Sequence, residues 1–129
     1  MILIVRPDKN MSHQPIPEVT DDDVQRVALR DFGKEHVSLA ISILEEYGRQ
    51  DPNQPKARVR LAILKLADGH LDRLLDLTQV AITDFRDVLA LAEYPRYYRE
   101  VWGGNATEEG KRAIVEDDWR QYHEWLARL

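Results

Sequence analysis

The stretch from His70 to Tyr94, HLDRLLDLTQVAITDFRDVLALAEY, decides the fold. It holds no Gly or Pro, and its apolar positions, Thr78 among them, recur at 71, 74, 75, 78, 81, 82, 85, 88, 89 and 92. This i, i+3, i+4, i+7 rhythm predicts a helix that buries one face. At ~100° per residue the apolar arc, counting Leu77, covers roughly 160°, wider than a two-helix seam needs. Asp72, Asp76, Gln79, Thr83, Arg86 and Asp87 fill the opposite side. Such an arc requires more than one neighbour, so the stretch reads as the central helix of a bundle.

Working outward, Gly69 ends the preceding segment, ARVRLAILKLA, which is apolar over most of its circumference and is expected to fold back as an αα-hairpin. Pro55 suits the first position of that helix, and RQDPNQP before it reads as a loop. Upstream, Thr20 followed by Asp21, Asp22 and Asp23 is a helix start, a capping hydroxyl and then carboxylates against the positive dipole end. Gly33 is expected to end that helix in a left-handed turn, with a second helix from Lys34 to Gly48. Downstream, Tyr94-Pro95 breaks the chain, RYYREVW supplies one or two turns, and Gly103-Gly104-Asn105 is a loop. Thr107 then caps a last helix with the stripe Val115, Trp119, Tyr122, Leu126 and Leu129. Residues 1–20, with MILIV and three prolines, read as an extended arm and linker. The expectation is an all-α, single-domain bundle of about five helices over residues 21–129, with a short extended N-terminal arm.

Composition narrows the function by exclusion. With no cysteine there is no disulfide, thiolate site or thiol nucleophile. A net charge of −5 argues against a nucleic-acid footprint. No apolar run approaches the ~20 residues of a membrane span, and MILIV is too short for a signal peptide, so a cytoplasmic location is expected. Helical metal sites pair ligands at i, i+3 or i+4, and none of His13, His36, His70 and His123 has a His, Asp or Glu at those spacings. The Gly103-Gly104 spot lacks the Lys-Ser/Thr of a phosphate loop, and no serine sits in a nucleophile elbow. No metal, cofactor or catalytic residue is therefore expected.

Two features remain. Seven of the ten aromatic residues lie between Tyr94 and Trp125, with Arg96 and Arg99 among them. Tyr, Trp and Arg are the residues of binding hot spots, although a core corner packed by the last helix explains the crowding equally. The second feature is Asp118, which falls inside the apolar sector of the last helix, where a lone carboxylate is costly. Arg96 or Arg99 is expected to pair with it, either as a buried latch or as part of a ligand site. His36 reads as a core histidine. The candidate contact residues are thus Tyr94, Arg96, Arg99, Trp102, Asp118 and Tyr122.

The segments VRLAILKLADGHLDRL, DFRDVLALAEYP and EDDWRQYHEWLARL resemble those of a family of small, uncharacterised bacterial helical proteins, over roughly residues 18–129. The resemblance implies a bacterial cytosolic helical domain and no particular activity. The functional expectation is a non-catalytic module that binds another protein, or itself as a homodimer, through the aromatic C-terminal region or the N-terminal arm. The alternative is a small-molecule-binding or enzymatic bundle with a polar pocket around Asp118.

Overall fold

The capping signals of the sequence act as local chemistry requires. The Thr20 hydroxyl accepts from the Asp23 amide at 3.3 Å while the Asp23 carboxylate accepts from the Thr20 amide at 2.9 Å, a reciprocal capping box that starts α1 (Asp21–Leu44). Inside α1, Gly33 has φ 77° and ψ 170°, so the helix bends there into two segments. The left-handed φ is as expected, but the extended ψ makes a sharp bend rather than a helix-capping turn. A Cβ at Gly33 would meet nothing within 4 Å, so glycine is required by conformation and not by space. α2 (Lys56–Ala67), α3 (Leu71–Glu93), α4 (Pro95–Glu100) and α5 (Glu108–Leu126) complete a single-domain, all-α bundle. The computed structural model describes residues 14–49, 56–101, 104 and 107–129, and among these there is no β-strand. The readings of MILIV, Pro55 and Trp102 lie outside the described residues.

α3 is the central helix, as its wide apolar arc implies, and packs against each of the other four helices, with α2 as its most deeply buried neighbour. Val59, Leu61, Ala62, Ile63, Leu64 and Ala67 are wholly buried, and α3 packs against α2 more extensively than any other pair of helices do. α3 is nevertheless not one continuous helix. Asp84 adopts φ −157° and ψ 99°, and its Oδ1 accepts from the Arg86 amide at 3.0 Å, as an N-cap carboxylate does. The register is therefore set separately on each side. Leu74, Thr78 and Ala81 are buried before the kink, and Val88, Leu89, Ala92 and Glu93 after it. Leu75 and Ile82, expected in the core, lie at the edge of the covered arc and stay half-exposed. Of the residues that extend the apolar arc, Leu77 packs on the core, whereas Val80 and Leu91 are exposed.

Residues 14–19 and the last helix are tied to this core. Pro17 is buried, Val19 packs on the main cluster, and the Tyr94 hydroxyl donates to the Pro15 carbonyl at 2.5 Å. Residues 14–19 are thus part of the packed structure rather than a free linker. Thr107 accepts from the Gly110 amide at 3.0 Å, as its capping role predicts. The Arg30 guanidinium closes the other end of α5, with Nη1 donating to the carbonyls of Trp125 and Arg128 at 2.9 Å each and Cζ lying 5.2 Å from the Trp125 ring centroid. The buried face of α5 runs through Ile114, Val115, Asp118, Tyr122 and Trp125, while Leu129, expected on the stripe, is fully exposed beyond the helix end.

Candidate functional site

The candidate residues of the C-terminal third divide between a buried polar corner and the surface above it. Pro95 starts α4 without an amide of its own, which leaves the amides of Arg96 and Tyr97 to be satisfied. Asp118 supplies both partners: Oδ1 accepts from the Arg96 amide at 3.2 Å and Oδ2 from the Tyr97 amide at 2.8 Å. The carboxylate is only 2% exposed. Asp118 is therefore a latch between α5 and α4, but not through a guanidinium as the sequence suggested. The Arg96 side chain turns outward to Glu100 at 2.8 Å and to Asp117, and Arg99 is exposed beside Glu100. The expected Arg–Asp118 side-chain pair does not form, because a helix N-terminus offers two fixed donors with no side-chain entropy to lose.

Beside this latch lies an ion pair that the sequence reading missed. Arg58 of α2 grips Glu93 of α3 with both arms of its fork, Nε to Oε2 at 2.8 Å and Nη2 to Oε1 at 2.7 Å. Glu93 is 2% exposed. The signal was present in the same form as for Asp118, a carboxylate one position beyond Ala92 on an apolar face, with an arginine set among the core positions of the preceding helix. Burial works against the Arg58 charge, yet the hydrogen bonds and charge of Glu93 outweigh it and hold the guanidinium above its ordinary value. Burial raises the Asp118 carboxyl, against the opposing pull of the two amides, Arg96 and Lys65.

The aromatic residues give this corner its low-polarity surroundings. Tyr94, Tyr97, Tyr122 and Trp125 are buried, and Trp119 lies tilted on His123 at 4.2 Å. Burial first, and then the charge of Glu93, pushes the phenols of Tyr94 and Tyr122 far above the normal range. The Tyr122 hydroxyl is buried with no hydrogen-bond partner among the described residues. Among the described residues, Tyr94, Tyr97, Tyr122 and Trp125 thus form a packed corner. His36, expected in the core, is exposed, as is the whole run Gly33–His36, because the first turn after the Gly33 bend projects past its neighbours.

No family model, no curated protein and no solved structure matches this chain. Function has to be read from its own surfaces. Among the described residues no group of His, Cys, Asp or Glu could hold a metal ion, and no helix is long and apolar enough to cross a membrane.

Among the grooves on the described surface are three to which Asp118 does not contribute. One, of about 400 Å³, is polar and runs between α2 and α5 past Lys65, Asp68, Gln121, Glu124, Trp125 and Arg128. Burial lowers the Lys65 amine, with Arg128 adding to the effect against the attraction of Asp118. A second, of about 130 Å³, lies beside Arg60, which spends its guanidinium on the carbonyls of Leu44 and Tyr47 at the end of α1. The third, of about 240 Å³, lies between α1 and α3 and is lined by Ser42, Ile43, Glu46, Leu75, Thr78 and Gln79. Of the large exposed aliphatic side chains, Leu75, at 51% exposure, lines it, while Leu39 at 50% and Ile82 at 49% stand one helical turn beyond its lining residues Ser42 and Gln79.

Proposed function

We propose that this chain is a non-catalytic helical interaction module, and that it docks another protein along the α1/α3 face. The observation that carries this reading is the row of Leu39, Leu75 and Ile82 beside the α1/α3 groove. Large aliphatic side chains left half in water on the two helices that flank one groove favour a role in association. The aromatic C-terminal region, named from the sequence as the docking surface, is occupied with internal packing and gives way to this face. The ligand-site alternative around Asp118 is less favoured, because both carboxylate oxygens are engaged by backbone amides of the same chain.

A photo-crosslinking residue at position 75, introduced in the cells that make the protein, tests the reading. A discrete adduct of defined mass from position 75, absent when the same group replaces the exposed Arg112, is the expected result. Equal labelling from both positions, or none from 75, would overturn it.

A further inference from the structure

The occupant of the α1/α3 face can be described by its chemistry. Two stripes border the groove. One follows Glu35, Leu39 and Ser42 on a single face of α1, spaced i, i+4, i+7, and continues to Glu46 just past its end. The other follows Asp72, Leu75, Gln79 and Ile82 of α3, spaced i, i+3, i+7, i+10. Of these, Ser42, Glu46, Leu75 and Gln79 line the groove itself. The two segments run side by side in the same direction. Ile43 and Thr78 share the groove, and the rings of Tyr47 and Phe85, each further along its helix, meet at 6.4 Å.

This shape selects among the ways a peptide is recognised. No strand edge exists among the described residues for an extended peptide to join. No aromatic side chain lines the groove, so it lacks the walls that hold a polyproline segment. A furrow between two packed helices, bordered by aliphatic side chains, fits the ridge of a third helix. From Leu75 to Ile82 the strip runs roughly 10 Å at 1.5 Å per residue, about two turns of such a helix.

Charge decides what flanks that ridge. Neither stripe contains a Lys or Arg. Glu35, Glu46, Asp72 and the adjacent Asp76 are all exposed. Of the cations near them, Arg49 pairs with Glu46 at 3.0 Å and Arg86, a turn beyond Ile82, pairs with Asp84 at 3.0 Å, while Lys34 lies off the α1 stripe. Arg73 lies on the other side of α3 and reaches the Leu66 carbonyl at 2.9 Å. A second copy of this chain is a poor occupant, since a two-fold dimer through this face would set the same acidic stripes against each other. An anionic lipid surface is repelled for the same reason.

We infer that the α1/α3 face receives an amphipathic helix of another protein, with an apolar ridge about two turns long flanked by lysines or arginines. This rests on the interaction-module reading above, and the experiment separates the two. Three synthetic peptides of about 18 residues are titrated into the isotopically labelled full chain and followed by amide chemical shifts. One has a Leu ridge flanked by Lys, one the same ridge flanked by Glu, and one is a scramble of the Lys peptide without an apolar face. The expected result is saturable binding of the Lys-flanked peptide alone. Its shifts should be confined to residues 35–46 and 72–82, its affinity should fall on the order of tenfold between about 0.05 and 0.5 M salt, and Leu75→Asp or Ile82→Asp should abolish it. These sites are already half in water, and circular dichroism of each variant checks that the fold is kept. Equal binding of the Glu-flanked peptide would overturn the basic partner while leaving the docking face standing. Binding of the scramble, shifts elsewhere, or no binding by any peptide would overturn the helix-docking inference. A dimer in light scattering that Leu75→Asp dissolves would show that a second copy is the occupant, and would overturn it too.

Discussion

Arg58 and Glu93 form a two-armed ion pair, at 2.8 and 2.7 Å, that ties α2 to the end of α3. The pair is placed next to the α3–α4 turn, where Tyr94 and Asp118 also meet, and Gln121 of α5 donates to the Glu93 carbonyl at 3.3 Å. Four helices are therefore joined by polar contacts at one corner.

Breaking the pair from one side should be far worse than removing it. Glu93→Ala leaves a guanidinium without its carboxylate in a largely buried site and is expected to cost about 3–5 kcal/mol in urea unfolding. The double variant Arg58→Met/Glu93→Leu should recover most of that loss, because both charges and their desolvation disappear together. Additive losses in the double-mutant cycle would show that the two residues act independently.

For Asp118 the partners are amides, and this changes the expected mutant series. Asp118→Ala strands the Arg96 and Tyr97 donors and should destabilise by about 2–3 kcal/mol, whereas Asp118→Asn keeps one acceptor and should cost less. Arg96→Ala should barely move the denaturation midpoint, since its guanidinium pairs with Glu100 and Asp117 at the solvent-exposed surface. Adding it to Asp118→Ala should give no rescue. A clear rescue, read from denaturation midpoints, would restore a guanidinium–carboxylate latch.

The buried phenols predict behaviour in alkali. Tyr94 and Tyr122 have folded-state values raised above the ordinary 10.0. Above pH 10 the unfolded chain gives up these protons and the folded chain holds them, so the folded state binds more protons and stability falls as pH rises. Below pH 10 this contribution is fully present. Of the five tyrosines, two should ionise only as the helical circular dichroism is lost, visible as a late step at 295 nm. Tyr122→Phe should remove half of that step. It should also leave stability unchanged or raise it by about 1 kcal/mol, because the hydroxyl it deletes is buried without a partner. A smooth titration of all five before unfolding would contradict the burial.

Much of the architecture is local and was therefore legible in the residues. Thr20 with Asp23, Gly33, Gly69, Pro95 and Thr107 act through contacts within a few residues of themselves, so caps and breaks needed no tertiary information. The kink at Asp84 was also local. Its sign, a capping carboxylate after Thr83, was hidden by the uninterrupted apolar rhythm around it.

What the tertiary structure alone decided is which part of each apolar arc is covered and which atom satisfies each buried charge. A helical wheel assigns Leu75 and Ile82 to the same face as Leu74, and only the placement of α1 and α2 leaves them half in water. The oddity of Asp118 was visible in sequence, but its partners were not, because backbone amides belong to every residue and have no letter of their own. Glu93 met its arginine across 35 positions of sequence. Periodicity reports what a helix turns toward a neighbour, and only packing determines which neighbour arrives.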